Sequence, residues 1–473
     1  VGTVDGVRIP MRTHLRIHGL VAILVAVSMA CTGSTVPDGS PVPDDGSDDR
    51  LVDADCPGEE VPSDLTVTCH RLELEDASLS VVVLHAADPT GAPVLHLHGG
   101  PGGRAVLDRY RWLAPRSGIL EGHNVILVDQ RGGGDSTPSL DCPELDDGPV
   151  DGFDGYRACR QRLDDGGVDR NSTTVERIGA DMVTLREAMG LDSWHLHGVS
   201  FGTRIALELL RIDGGAVDSA VLDSPLPPEV DAYDDLPAGV LLALEILEAG
   251  CPDWDACPHG LLEPLREVLA GLADRAVAVT IRSGEAVHYD DVRFVRLVSD
   301  ALANPVGPAV VRDAIPLAAS DRLAEAVARL TEIASTGRSV GDPVSEGAQL
   351  SSECADEVPF NAMSATTTGD PILDAVAGAG SEVRALCALW DVPASERVVD
   401  QAVTSTVPIL VLSGHLDPIT PVAWARRLAD GLENATLVES PRWTHVPSMS
   451  DPCAAHLVAR FLAGDRAVGL PDC

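Results

Sequence analysis

The residue types that first suggest chemistry are a serine held between two glycines. In Gly198-Val-Ser-Phe-Gly202, Ser200 follows a short apolar run at 193–197. It precedes Ile205-Ala-Leu-Glu-Leu-Leu210, which has helical spacing. A turn that sharp strains the backbone at its apex, and glycines two before and two after let strand and helix close without clashes. The turn lifts the Ser200 hydroxyl clear of the strand and sets it at a helix N-terminus, where partial positive charge favours a developing anion. Ser200 is therefore a candidate nucleophile, and a hydroxyl needs a base to act as one.

Fourteen histidines compete for that role. His445, in Arg442-Trp-Thr-His-Val446, lies just after the last apolar strand-like run, where a base for such a serine belongs. His195 and His197 share the serine's own strand and are expected to pack locally. His85, His96 and His98 belong to strands or to a glycine loop, and His415 is the serious rival. The base in turn needs an acid to hold its tautomer and stabilise imidazolium. Asp417, in Ser413-Gly-His-Leu-Asp-Pro-Ile-Thr-Pro421, follows a strand end and precedes His445; Asp223, after an earlier strand, is the alternative. Serine, acid, histidine is the chain order that a serine on a strand–turn–helix elbow demands. For the charge of the transition state, His98-Gly-Gly-Pro-Gly-Gly103 offers backbone donors. An amide of Gly99 or Gly100, with that of Phe201, would form an oxyanion hole.

These residues need rigid elements to position them. Apolar runs at 93–98, 124–129, 193–197 and 220–223 alternate with helical periodicity, as in 174–189, where Val175, Ile178, Met182, Leu185 and Met189 share one stripe. Strands alternating with helices imply an α/β class with a mostly parallel central sheet covered by helices on both faces. The alternation stops at Ser224-Pro-Leu-Pro-Pro228 and resumes at Val407-Pro-Ile-Leu-Val-Leu-Ser413. Residues 225–400 between them read as mainly helical, an inserted cap. The core is thus expected in two pieces, 61–224 and 401–473.

The chain of 473 residues carries a net charge of −39 and contains no lysine, so a phosphate backbone would be repelled and nucleic acid is excluded as a partner. Residues 1–31 read as an export signal: basic residues after Met11, an apolar stretch from Leu20 to Ala30, then Cys31. Residues 1–10 lack signal character, which points to Met11 as the initiator. Ser28-Met-Ala-Cys31 resembles a lipoprotein box, with serine where leucine is usual. Lipidation of Cys31 is the expectation and plain secretion the alternative. Residues 32–60, rich in Pro, Gly, Ser and Asp, read as a disordered acidic linker. Eleven cysteines minus Cys31 leave an even ten, suited to disulfides in an oxidising compartment. Nearest-neighbour pairing would be 56/69, 142/159, 251/257, 354/387 and 453/473. The lack of C-x-x-C argues against zinc or a redox dithiol, and nothing indicates a cofactor.

Taken together, H-G-G-P-G-G, D-Q-R-G at 129–132, G-V-S-F-G and G-H-L-D-P-I-T-P resemble the proline iminopeptidase and tripeptidyl aminopeptidase branch of the α/β-hydrolases, from about residue 65 onward. Glu353-Cys-Ala-Asp356 is similar to the I-x-C-x-D element of the tripeptidyl type, with Ser352 where isoleucine is usual; Phe201 stands where tyrosine is common. The resemblance implies an α/β-hydrolase fold with a helical cap, and a serine exopeptidase acting on peptides with free N-termini. Ser200 would be its nucleophile, Asp417 its acid and His445 its base. A cationic α-amine needs counter-charges, for which Glu353, Asp356 and Glu357 are candidates. A carboxylesterase using the same three residues on small esters is the alternative activity, and a silent binding lipoprotein is a third reading. Epoxide hydrolases and dehalogenases of this fold use a carboxylate nucleophile, which serine at 200 disfavours.

Overall fold

The computed structural model describes residues 48–470, except 59–64, 108, 110–111, 113–116, 146–152, 251–259, 282–283, 285, 338–343 and 363–366. The signal-like segment, Cys31 and the linker up to residue 47 lie outside the described residues.

The strands are β1 (Leu51–Asp53), β2 (Thr66–Glu73), β3 (Ser78–His85), β4 (Val94–Leu97), β5 (Val125–Val128), β6 (Trp194–Val199), β7 (Val217–Asp223), β8 (Val277–Thr280), β9 (Ala286–Tyr289), β10 (Ile409–Gly414) and β11 (Ala435–Ser440). Around them run helices α1 (Ser117–Leu120), α2 (Asp154–Asp165), α3 (Val175–Ala188) and α4 (Phe201–Ile212). Between β7 and β10 come α5 (Ala232–Ala249), α6 (Leu262–Asp274), α7 (Asp291–Ala303), α8 (Gly307–Ala319), α9 (Leu323–Gly337), α10 (Glu346–Ser352) and α11 (Pro371–Trp390). The chain closes with α12 (Val422–Gly431) and α13 (Pro452–Leu462).

Nine strands form one sheet in the order β1-β2-β3-β5-β4-β6-β7-β10-β11. It is antiparallel from β1 through β3 to β5 and parallel from there on. Period-two alternation explains its two covered faces. Val81, Val83, Leu95, Ile409 and Val411 enter one apolar core with α3, α4 and α12. Val82, Leu84, Val94, Leu410 and Leu412 enter another with α13. Strand β10 pairs with β7, Ile409 opposite Ala220, although helices α5 to α11 intervene in sequence. Of these, α5 to α9 and α11 build a separate core around Leu244, Leu265, Phe294, Val298 and Ile315. Among the described residues this region also holds the antiparallel hairpin β8–β9.

Two expectations change. The linker read over 32–60 contains an ordered piece: Leu51–Asp53 pairs with β2, Leu51 opposite Leu72, and Cys56 is disulfide-bonded to Cys69. Three residues among Asp and Gly give no periodic signal, so only their pairing reveals them. The disulfides Cys142–Cys159 and Cys354–Cys387 are also present. The pairings 251/257 and 453/473 involve residues outside those described.

Candidate active site

The turn from β6 to α4 places Ser200 at φ 53°, ψ −126°, the N-cap of α4. A non-glycine residue at positive φ is held there only by surroundings that over-determine it. The surroundings are tight: a Cβ on Gly202 would lie 1.9 Å from the Leu97 carbonyl oxygen, and one on Gly198 2.7 Å from that of Gly202. These glycines let β4, β6 and α4 converge beneath the serine. Helix α4 is itself buried from Phe201 through Leu210, so its N-terminus is fixed by the core.

Asp417 lies just beyond β10, almost wholly buried. Its Oδ1 accepts the amides of Ile419 and Thr420, both at 2.9 Å, and its Oδ2 accepts the Thr420 hydroxyl at 2.8 Å. His445 Nδ1 donates to that same Oδ2 at 2.8 Å. Burial works against the aspartate's charge, but the His445 ring and the Thr420 donors outweigh it and hold the carboxyl below its usual range. For His445, burial opposes the cation, yet Asp417, with Asp223 behind it, raises the imidazole above its ordinary value. The loop is seated closely: a Cβ on Gly414 would meet the Trp443 carbonyl oxygen at 2.2 Å, and the His445 amide donates to Ala303 at 3.2 Å.

Ser200 and His445 converge on the same end of the sheet. The Ser200 amide donates to the Asp223 carbonyl at 2.9 Å, and the next residue, Ser224, accepts the Val446 amide at 2.8 Å. Among the described residues no hydrogen bond joins His445 Nε2 to Ser200 Oγ. Such contacts are often long without substrate and tighten when it binds.

The glycine loop lies against the serine: a Cβ on Gly99 would be 3.0 Å from Ser200 Cβ and 3.5 Å from its Oγ. Among the described residues, neither the Gly99 nor the Gly100 amide donates to a backbone carbonyl, and the Phe201 amide, at the first position of α4, has no carbonyl one turn back. The rival residues are engaged elsewhere. His415 Nε2 faces Glu439 at 3.4 Å. His195 contacts the Ser219 hydroxyl at 2.8 Å, and burial pushes it down to about 4. His96 and His197 meet each other at 3.1 Å in the core, and His98 turns to the Gly99 carbonyl. Asp223 accepts the Ser448 amide rather than His445, and burial pushes its carboxyl up to about 7.

The three acidic candidates part ways. They occupy a π-helical turn, Glu353–Glu357, that continues α10. Asp356 accepts Val175 N, Ser352 Oγ and Ser395 Oγ inside the protein. Glu357 forms an ion pair with the buried guanidinium of Arg204. Asp356 thus spends its acceptors, and Glu357 its charge, inside the fold, which argues against the expectation of either as an amine ligand. Glu353 is different: among the described residues its carboxyl accepts only the Tyr233 hydroxyl, at 2.5 Å, and burial raises it. Sequence reasoning missed Tyr233, and also Glu229, whose Oε2 is buried and has no hydrogen-bond partner among the described residues. Their signal was position, on the segment leaving β7 next to the serine's strand. Cys142, Glu144 and Cys159 are grouped closely enough for a metal, but both sulfurs are in a disulfide and offer no thiolate.

The description "alpha/beta hydrolase fold" matches residues 92–244, and "TAP-like protein" matches residues 375–467. A probable proline iminopeptidase of Streptomyces coelicolor is 29% identical over 135 residues, 28% of this chain and 33% of its own length. The proline iminopeptidase of Xanthomonas citri is 31% identical over 120 residues, 25% of this chain and 28% of its own. The chain thus spans about a third of the length of the curated relatives it matches. A solved proline iminopeptidase of Mycobacterium smegmatis aligns with 84% of this chain and 97% of that one, at 17% identity and a TM-score of 0.38. With a largely parallel sheet, a strained serine between β6 and α4, and the motif order already described, the chain has the α/β-hydrolase fold and is similar to proline iminopeptidases and TAP-like proteins.

Proposed function

We propose that the protein is a serine aminopeptidase that releases short peptides or single residues from free N-termini through an acyl-enzyme. The observation that carries this reading is the 2.8 Å bond from His445 Nδ1 to Asp417, made at the sheet end where Ser200 stands on its turn. With Nδ1 protonated, Nε2 is the free base. It takes the Ser200 proton as Oγ attacks the scissile carbonyl. Negative charge then collects on the carbonyl oxygen, toward the amides of Phe201 and of Gly99 or Gly100. His445 returns the proton to the leaving amine, and water, activated by the same ring, hydrolyses the ester on Ser200. Glu353, oriented by Tyr233, is the counter-charge for the substrate's α-amine; a cation arriving there offsets the cost of its burial. Export, with lipid on Cys31, belongs to this reading and is supported by the disulfides.

The test uses a fluorophosphonate probe and paired substrates. Ser200 should be labelled in the wild type and Ser200→Ala should be inert, while free peptides turn over much faster than their N-acetylated forms. Equal turnover of the two would remove the amine site and favour an esterase. Full activity of Ser200→Ala would remove the nucleophile.

A further inference from the structure

We infer that the Asp223–Ser224 corner, where β7 ends, is a positioning element for the reaction, fixing nucleophile and base to one strand end. This rests on reading Ser200, His445 and Asp417 as the catalytic residues.

The corner makes four backbone-directed contacts. The Asp223 carbonyl accepts the Ser200 amide at 2.9 Å. Its Oδ2 accepts the Ser448 amide at 2.8 Å, and Ser224 Oγ accepts the Val446 amide at 2.8 Å. The Ser224 amide donates to the Leu412 carbonyl at 2.9 Å, on the strand that leads to Asp417. The amides at 446 and 448 thus hang on side chains of two consecutive residues, one of which also holds the serine's own amide. His445 directly precedes them.

Two further features set the corner apart from ordinary packing. Ser224 and Val446 both sit in the left-handed region, φ 54° and 55°, without being glycine, and they hydrogen-bond each other. Paired strain of this kind persists where its geometry is needed and concentrates at functional sites. Asp223 is fully buried, and among the described residues its Oδ1 has no hydrogen-bond partner. A residue kept only to cap one amide gains nothing from an unpaired, desolvated oxygen. The base loop is pinned from behind as well: Ser448 Oγ meets His197 Nε2 at 3.1 Å, and His197 meets His96 at 3.1 Å, extending the polar chain across β6 and β4. Polar contacts of fixed geometry orient a loop where apolar ones let it slide.

The experiment compares Asp223→Ala, Asp223→Asn and Ser224→Ala in the full chain, reading kcat and KM on a free aminoacyl p-nitroanilide and the rate of fluorophosphonate labelling at Ser200. Near-UV circular dichroism checks the fold. Asp223→Ala and Ser224→Ala should lower kcat and labelling together by about 10- to 100-fold, the cost of displacing reacting groups by an ångström or less, with KM within twofold. Asp223→Asn keeps a carbonyl acceptor for the Ser448 amide and should recover most of the loss. Native-like Asp223→Ala and Ser224→Ala proteins with kcat and labelling within twofold of wild type would overturn the proposal. So would Asp223→Asn falling as far as Asp223→Ala, since charge would then matter rather than the accepted amide. If Asp223→Ala fails to fold, Ser224→Ala decides by the same criterion. The Ser200→Ala control separates the failures: residual full activity there sinks the catalytic reading itself.

Discussion

Replacing Asp417 with asparagine perturbs one proton and little else, and the outcome can be worked out from the contacts. Oδ1 of Asp417 sits before two amides, those of Ile419 and Thr420, while Oδ2 faces His445 Nδ1 and the Thr420 hydroxyl. Two N–H donors hold the asparagine oxygen at the first position, so its NH2 must occupy the second. There it donates to Nδ1 and forces the imidazole proton onto Nε2, the nitrogen that has to accept from Ser200. The turn after β10 keeps the two amide hydrogen bonds that fix its backbone, so the fold should survive, with the pH-dependent contribution of the ion pair lost. The base, however, is in the wrong tautomer, a defect costing about 10³- to 10⁴-fold in kcat, or about 4–5.5 kcal/mol of barrier. Steady-state hydrolysis of a free aminoacyl p-nitroanilide, with melting curves for both proteins, measures this. A kcat within tenfold of wild type at unchanged melting temperature would refute Asp417 as the partner of the base, and the acid would have to be sought at Asp223.

The pH dependence has a definite sign. Because Asp417 and Asp223 outweigh burial and raise His445 above 6.5, the acidic limb of kcat/KM should have its midpoint above pH 6.5, with activity rising as the ring loses its proton. A pH–rate profile with its midpoint below that value would contradict the pairing. In stability, the raised imidazole contributes fully below its unfolded value and loses that contribution as pH rises through the folded one; the lowered Asp417 contributes at neutral pH and loses it on acidification. The Asp417→Asn and wild-type melting curves should therefore differ most between those two transitions. Finally, Gly202→Ala would drive a Cβ to 1.9 Å from the Leu97 oxygen and 2.8 Å from that of His98, both backbone atoms that cannot swing away. It should cost about 1–3 kcal/mol and displace the glycine loop. An unchanged melting temperature and an unchanged kcat would show that the strands have slack there.

Legibility in the sequence followed the range of the interaction. Ser200, its flanking glycines and the loop at 98–103 were readable because each feature is complete within a few residues: a turn needs its small residues beside it in the chain. The parallel sheet was readable from alternating runs, since strands covered on both faces are apolar throughout. The edge strand Leu51–Asp53 was not, because three residues carry no period and its cause is a partner in β2.

The acids make the same point at the site. Asp223 ends one strand and Asp417 follows another, and chain order admits both. The separation comes from where the loop after β11 lands, offering an imidazole to one carboxylate and the Ser448 amide to the other. Likewise Glu353, Asp356 and Glu357 are one acidic cluster in sequence, but on a π-helical turn they diverge to Tyr233, three internal donors and Arg204. Residue type states what a side chain is able to do. Which charges are already neutralised depends on partners far away along the chain, and those meet only when the sheet and its inserted helices have packed.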